Sequence, residues 1–232
     1  MYICRNDNYS QVKTMILHIQ KAVDEAVIDS LVAGLSAEQF GDGKATAGWA
    51  AKEVKNNQQL TGKKAKAATD LLLEKLHTNP LVQSAMRPKH VARCSINRYE
   101  VGQYYGTHMD DSLMNGVRTD ISFTLGLSEL DTFEGGELVI EDTSSERSWR
   151  LGKGDILIYP SHYLHRVNEV TQGARLAMIG WIQSVIKHPS HRELLFDVEQ
   201  SLKAEFEANG KSSNFDRLTK VFHNLMREWA DI

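Results

Sequence analysis

The chain has 232 residues, with 27 basic and 30 acidic side chains and a formal net charge of −3 at pH 7. This balance, without a block of like charge, argues against the basic footprint of a nucleic-acid-binding protein. No apolar run approaches the roughly 18 residues of a membrane span, the start lacks a secretory signal, and two cysteines make no disulfide framework. We therefore expect a cytoplasmic protein with neither nucleic-acid nor membrane partners and a sizeable core.

The first part of the chain predicts helices with short extended pieces. Residues 1–14 are polar and show no period, so we expect a flexible N-terminal extension. Apolar positions recur at helical spacing over residues 24–35 and 65–76. The amide-rich run at residues 55–59 is typical of a solvated loop or a helix cap. Residues 15–80 are therefore predicted to form the N-terminal helical and strand part of the folded unit.

The middle of the chain, residues 81–187, changes to the period of β-strands. Residues 91–99 and 119–127 alternate in the manner of half-buried strands. Further strand candidates, separated by turns rich in Gly or Asn/Asp, are residues 137–141, 148–151, 155–159, 165–170 and 175–183. Many short strands without an intervening helical pattern favour a sandwich or barrel over a parallel sheet. The sequence therefore predicts an α+β fold with a β core.

The C-terminal segment, residues 188–232, returns to a helical pattern. Apolar residues recur at helical spacing over residues 191–208 and 214–229, with a polar turn between them. The apolar faces of these two helices would pack on the core or form a subunit contact. A homodimer through the C-terminal helices is therefore one expectation.

The most informative stretch of the sequence contains His108 and Asp110. These residues are two positions apart, so on an extended strand their side chains point to the same side and can ligate one metal ion. His165 is the best candidate for a third ligand, because His162 follows the end of an apolar strand and is better placed on a turn. Two histidines and one carboxylate on one side of a metal form the facial triad of non-heme Fe(II) oxygenases.

Arg175 lies ten residues after His165, beyond a turn at residues 171–173. We predict that the strands on either side of this turn pair as a hairpin, which would bring the histidine and the arginine onto one inner surface. A fixed guanidinium is well suited to a bidentate interaction with a carboxylate. A dicarboxylic cosubstrate could then chelate the iron at one end and bind Arg175 at the other. The alternative is a hydrogen-bonded core histidine and an ordinary surface arginine.

With these residues, the sequence resembles the Fe(II)/2-oxoglutarate-dependent dioxygenases, specifically the prolyl-4-hydroxylase-like branch. The closer resemblance is to the bacterial PKHD-type hydroxylases, some of which are associated with iron uptake. It extends from about Met15 through nearly the whole chain. Besides the His-x-Asp…His…Arg pattern, it rests on short motifs at residues 56–59, 97–99, 118–120, 135–138, 154–155, 181–184, 223–225 and 227–229.

The resemblance implies a double-stranded β-helix, or jelly-roll, core with N-terminal helices packed on it and two C-terminal helices. It implies that Fe(II) binds through His108, Asp110 and His165. Arg175 would bind the distal carboxylate of 2-oxoglutarate, and Tyr99, on the strand before the His-x-Asp motif, would contact the same cosubstrate.

One position departs from the family pattern. Related hydroxylases often carry a hydrogen-bonding side chain where this sequence has Gly126. The alternation of this strand places Ser122, Thr124 and Gly126 on one face, which we expect to line the site while the bulky residues pack against helices. The second contact to the cosubstrate carboxylate would then come from Thr124 or from water.

The implied reaction uses 2-oxoglutarate and O2, forms succinate and CO2, and hydroxylates an unidentified amino-acid side chain, peptide or siderophore-like molecule. The carboxylate of Asp110 favours hydroxylation, because halide-transferring relatives replace it to make room for chloride. Ascorbate would keep the iron reduced, as in the related prolyl hydroxylases. Two alternatives stay open: a non-catalytic module that senses iron or 2-oxoglutarate, and a metal-dependent hydrolase or isomerase on a cupin-like barrel, which would have no use for Arg175.

Overall fold

The computed structural model describes residues 15–142 and 145–231, and the extension predicted at residues 1–14 lies outside them. Side chains from two β-sheets meet around an interior cleft, and helices cover the outer face of the larger sheet. The helices are α1 (Glu25–Ala33), α2 (Gly62–Thr78), α3 (Pro80–Met86), α4 (Pro189–Asn209) and α5 (Ser213–Trp229).

The larger sheet contains the longest strands. Its spatial order is β1 (Leu17–Ile19), β13 (Ile156–Pro160), β9 (Ile121–Gly126), β15 (Val170–Ser184), β5 (Pro88–Glu100), β4 (Gln58–Leu60) and β2 (Phe40–Asp42), and β10 (Phe133–Gly135) pairs with the start of β15. Neighbouring strands are antiparallel throughout. The strand β15 pairs with β9 on one side and β5 on the other, and so forms the centre of the sheet.

The smaller sheet supplies the opposite wall of the cleft. Its spatial order is β12 (Glu146–Trp149), β11 (Leu138–Glu141), β14 (Leu164–Val167), β6 (Tyr104–His108) and β3 (Lys55–Asn56), again antiparallel. A separate hairpin joins β7 (Leu113–Met114) to β8 (Val117–Arg118). Two facing antiparallel sheets with helices added at both ends confirm the predicted α+β fold with a jelly-roll core.

The alternation predicted for β9 is confirmed. Phe123 and Leu125 belong to the apolar core in which Ile28 of α1 and Leu72 of α2 pack against the larger sheet. The intervening Ser122 and Thr124 line the interior cleft, together with residues of the smaller sheet. Burial of the bulky face against the helices therefore fixes which face of the strand is presented to the site.

The predicted hairpin between His165 and Arg175 is wrong. The strand β14 pairs with β11 and β6 in the smaller sheet, whereas β15 pairs with β5, β9 and β10 in the larger one. Residues 171–173 lie within β15, where Gly173 pairs with Phe133 of β10. The chain therefore crosses from one sheet to the other between these strands, and the two residues face each other across the cleft instead of along a ladder.

The prediction of a solvated loop or helix cap at residues 55–59 is also wrong. Lys55 pairs with Tyr105 in the smaller sheet, and Gln59 pairs with Asn97 in the larger sheet. Lys55, Asn57 and Gln59 are buried while the residues between them are not. The run is a strand that passes from one sheet to the other with its alternate side chains inward, so tertiary packing has overridden the turn preference of asparagine.

The two predicted C-terminal helices are confirmed as α4 and α5. The buried Arg192 ties α4 to the segment that follows β15, since its guanidinium donates to the carbonyls of Ile186 at 2.8 Å and Lys187 at 2.9 Å. Glu199 on the same helix accepts hydrogen bonds from Arg87 at 2.6 Å and Ser84 at 2.7 Å. Among the described residues, no helix has the length and apolar character needed to cross a membrane.

The structure explains the glycine at position 126. A Cβ atom built on Gly126 would lie 2.2 Å from the carbonyl oxygen of Gly152 and 2.8 Å from that of Leu151. Both contacts are with backbone, which cannot rotate away as a side-chain tip can. The passing chain therefore leaves no room for a side chain at position 126.

We predict that Gly126→Ala lowers the free energy of unfolding by about 2 kcal/mol or more, because the added methyl group forces the backbone apart. The measurement is urea unfolding followed by circular dichroism. Gly41→Ala is the matched control, since a Cβ atom on this strand glycine would meet only a Thr61 methyl group at 3.4 Å. Equal stability of the two variants would contradict the close approach.

Candidate active site

The structure brings His108, Asp110 and His165 together at one point of the cleft. The two histidines are paired positions of the neighbouring strands β6 and β14, and Asp110 follows β6. One ligand atom from each residue can be chosen so that all three lie within 4.8 Å of one another. Two imidazole nitrogens and one carboxylate oxygen at this separation fit one transition-metal ion, with the remaining positions open to the cleft.

Hydrogen bonds orient both imidazoles toward the common point. Nδ1 of His108 lies 2.8 Å from the carbonyl oxygen of Gly106, and Nδ1 of His165 lies 3.0 Å from that of Tyr163. A carbonyl oxygen can only accept, so these contacts place the proton of each neutral ring on Nδ1. The other nitrogen of each ring, Nε2, is then left with the lone pair that a metal requires.

The carboxylate of Asp110 is held by Ser122 of the larger sheet, which Ser161, in the turn after β13, supports. Ser122 donates a hydrogen bond of 2.6 Å to Oδ2 of Asp110, and Ser161 lies 2.8 Å from the Ser122 hydroxyl. The other oxygen, Oδ1, lies 3.8 Å from Nε2 of His165. Ser122 thus links the two sheets at the site and directs one carboxylate oxygen toward the histidines.

The imidazole of His108 is uncharged at neutral pH. Burial and, next, the neighbouring His165 lower the pKa of His108 to about 4. The ring of Tyr105 covers one face of His108, with centroids 3.6 Å apart. A histidine that stays neutral is the form that ligates a metal.

Arg175 is a buried cation that Glu137 influences electrostatically but does not pair with. Its side chain is 4% exposed, and within residues 15–142 and 145–231 no carboxylate forms an ion pair with it. Its guanidinium lies over the ring of Tyr99, 5.3 Å from the centroid, and burial lowers its pKa. A Cβ atom on Gly136 would lie 2.8 Å from Cδ of this arginine, so the glycine makes room for the side chain. An unpaired buried guanidinium is costly, and an external carboxylate would offset that cost.

Tyr159 is a site residue that the sequence did not reveal. It is fully buried on β13, beside Thr124 and near Arg175, and burial raises its pKa well above the ordinary value. Because Gly126 cannot carry a side chain, Tyr159 and Thr124 join Tyr99 as the residues with hydroxyl groups at this end of the cleft. The sequence shows only a tyrosine inside an otherwise apolar strand, and that pattern by itself predicts a core residue.

The cleft has a volume of roughly 860 Å³, including its mouth. All six residues predicted from the sequence line it, and they are His108, Asp110, His165, Arg175, Tyr99 and Thr124. His162 lies exposed on a turn, as predicted. The same cleft is also lined by Lys55, Arg93 and Trp181.

Comparisons with known proteins agree with this geometry. Residues 94–183 match the 2OG-Fe(II) oxygenase superfamily, and residues 190–231 match the PKHD-type hydroxylase C-terminal domain. A PKHD-type hydroxylase of Idiomarina loihiensis is 76% identical over 218 residues, which cover 94% of this chain and 100% of that protein. Another, from Rippkaea orientalis, is 44% identical over 221 residues, covering 93% and 100%.

Solved structures share the fold at low sequence identity. A prolyl-4-hydroxylase of Pseudomonas putida has a TM-score of 0.56 and 18% identity, covering 73% of this chain and 92% of its own. HygX from Streptomyces hygroscopicus, solved with nickel and 2-oxoglutarate bound, has a TM-score of 0.55 and 12% identity, covering 74% and 83%. The full-length match to curated relatives and the jelly-roll neighbours lead to one conclusion: the chain belongs to the PKHD-type hydroxylases, enzymes of the 2OG-Fe(II) oxygenase superfamily.

Proposed function

We propose that His108, Asp110 and His165 hold Fe(II), that Arg175 binds the distal carboxylate of 2-oxoglutarate, and that the enzyme hydroxylates a small-molecule or peptide-like substrate. The observation that carries this proposal is the buried guanidinium of Arg175, which forms no ion pair among the described residues and shares the cleft with the three potential ligands. A hydrolase or isomerase using the same triad would have no need for that cation.

The residues of the chain divide the work between binding and orientation. Iron, when bound, supplies the redox chemistry that no side chain can perform. The histidines present Nε2 because their Nδ1 atoms are bound to carbonyl groups, and Ser122 fixes the carboxylate of Asp110. Arg175 sets the depth to which a dicarboxylate can enter, with Tyr99, Tyr159 and Thr124 around it.

The products succinate and CO2 and the use of O2 follow from this assignment of 2-oxoglutarate as cosubstrate. The neighbour HygX, whose structure contains nickel and 2-oxoglutarate, supports the combination of a metal and this dicarboxylate in the same fold. Ascorbate as a reductant and a homodimer through α4 and α5 stay predictions. The chemistry of the cleft around Lys55 and Arg93 bears on the substrate class.

The first test is anaerobic reconstitution with Fe(II) and 2-oxoglutarate. We expect a weak visible metal-to-ligand charge-transfer band, followed by succinate formation when oxygen is admitted. A sensing module would give the band and, even with substrate candidates present, no succinate. Iron-loaded protein without the band would contradict the proposal and favour the hydrolase or isomerase.

We predict that Arg175→Ala weakens 2-oxoglutarate binding by about 100-fold, because a charge-assisted, bidentate contact in a buried site is lost. Iron binding should be retained, since Arg175 is not among the potential ligands. The measurement is titration of the charge-transfer band together with iron analysis. Arg166→Ala is the control, because Arg166 pairs with Glu146 at 2.6 Å on the surface. Unchanged affinity in Arg175→Ala would reject the assignment.

We predict that Ser122→Ala weakens Fe(II) binding by about 10-fold, because residues that orient a ligand typically contribute 10- to 100-fold to metal affinity. The readout is competition with a chelator under anaerobic conditions. Ser95→Ala is the matched control, since Ser95 is also buried and lines the cleft but bonds Asn97. An equal effect of both substitutions would mean that Ser122 acts only through general stability.

A further inference from the structure

The outer part of the cleft contains two cations that the proposed reaction does not use. Lys55, on β3, is 4% exposed, and its ammonium group lies 5.0 Å from the centroid of the Tyr105 ring. Arg93, on β5, is half-buried and faces the same space. Among the described residues, neither side chain forms an ion pair with a carboxylate.

Thr46 contacts both cations. Its hydroxyl group lies 3.4 Å from Nζ of Lys55, and its carbonyl oxygen accepts a hydrogen bond of 3.3 Å from Arg93. These are long contacts with neutral oxygens, so they leave most of the donors of both cations unsatisfied. Burial and the neighbouring Arg93 lower the pKa of Lys55 to about 8, and the ammonium group is still mostly charged at neutral pH.

A third donor lies close to the pair. Trp181 faces Arg93 across the β15–β5 ladder, and its indole Nε1 is buried without a hydrogen-bond partner. The only acidic side chain lining the cleft besides Asp110, within the described residues, is the exposed Asp111. The outer cleft is therefore rich in donors and poor in negative charge.

The charges of the inner cleft cancel when it is filled as proposed. The charges of Fe(II) and Arg175 are matched by those of 2-oxoglutarate and Asp110. Lys55 and Arg93 then add two positive charges on the side of the cleft left for the substrate. Burial outweighs the carboxylates of Asp42 and Asp110, which raise the pKa of Lys55 without forming an ion pair with it. A substrate oxyanion would offset the remaining cost of burying this ammonium group.

We propose that Lys55 and Arg93 form an anion subsite that binds a carboxylate or phosphate group of the substrate. The inference rests on the proposed function, because it takes the inner cleft to be filled by iron and 2-oxoglutarate. The substrate would therefore be an acidic molecule: its oxyanion binds between the donors of Lys55 and Arg93, and the carbon to be hydroxylated extends toward the triad. A guanidinium and an ammonium group around one oxyanion provide both direction and charge.

The test uses the full chain loaded anaerobically with Fe(II) and saturating 2-oxoglutarate, followed by calorimetry. N-acetylglycine is compared with the neutral N-acetylglycinamide, and glycerol phosphate with glycerol. We expect at least one charged probe to bind, its neutral partner to bind at least 10-fold more weakly, and the charge-transfer band to persist. Binding of only one charged probe identifies the oxyanion as a carboxylate or a phosphate. Equal affinity for charged and neutral probes, or no binding of either charged probe, would overturn the subsite.

Variants separate this role from a structural one. Lys55→Met and Arg93→Met should each weaken binding of the charged probe by about 10-fold, the loss expected for a charge-assisted hydrogen bond. Lys52→Met, an exposed lysine three residues away, should leave the affinity unchanged. Lys55→Met should melt at the same or a higher temperature, because it removes an unpaired buried charge. If it fails to fold, Lys55 is structural and the subsite as proposed is wrong, whereas Arg93→Met independently tests the second cation.

The two proposals fail in different ways. Loss of the charge-transfer band in the wild-type protein would contradict the assignment of 2-oxoglutarate, whatever the anion probes do. A normal band combined with probe affinities that do not depend on Lys55 or Arg93 would contradict only the anion subsite. Displacement of 2-oxoglutarate by the probe would show that the anion binds at Arg175, which also contradicts the subsite.

Discussion

The site depends on the antiparallel pairing of β15 with both β5 and β9. This register places Arg175 beside Tyr99, and Trp181 beside both Arg93 and Ser122. One strand therefore carries the cation at the inner end of the cleft and an aromatic wall at the outer end. A slip of one residue would turn every one of these side chains toward the helices, so the helical layer that buries Phe123 also protects the geometry of the site.

The second determinant is the contact between the sheets. The histidines belong to the smaller sheet, and Asp110 follows it, yet the hydroxyl group that holds Asp110 comes from Ser122 on the larger sheet. The distance between the sheets therefore sets the position of the carboxylate relative to both imidazoles. Rigid strands provide this precision better than loops do, because their dihedral angles are fixed by ladders on both sides.

Several charged groups share the cleft. Arg175, the triad, Lys55 and Arg93 all line it. None of the three cations forms an ion pair with a carboxylate of the described chain, although the surface of the same protein forms many such pairs, including Arg166 with Glu146 and Lys153 with Asp29. Cations that form no ion pair and line the cleft are positioned where a ligand can bind them.

The sequence by itself determined most of the helices and long strands, the inward face of β9, and the positions of Arg175 and the three potential metal ligands, because local period and a spaced motif are properties of the chain itself. The jelly-roll class and the place of Tyr99 followed from the resemblance of this sequence to known hydroxylases. The tertiary structure decided the rest. It moved His165 and Arg175 onto opposite sheets, buried Lys55 within a run that by composition is a loop, replaced a side chain at Gly126 with the backbone of Gly152, and added Tyr159. Each of these features depends on which distant segment packs opposite the residue. The local sequence of one strand does not specify its partner strand.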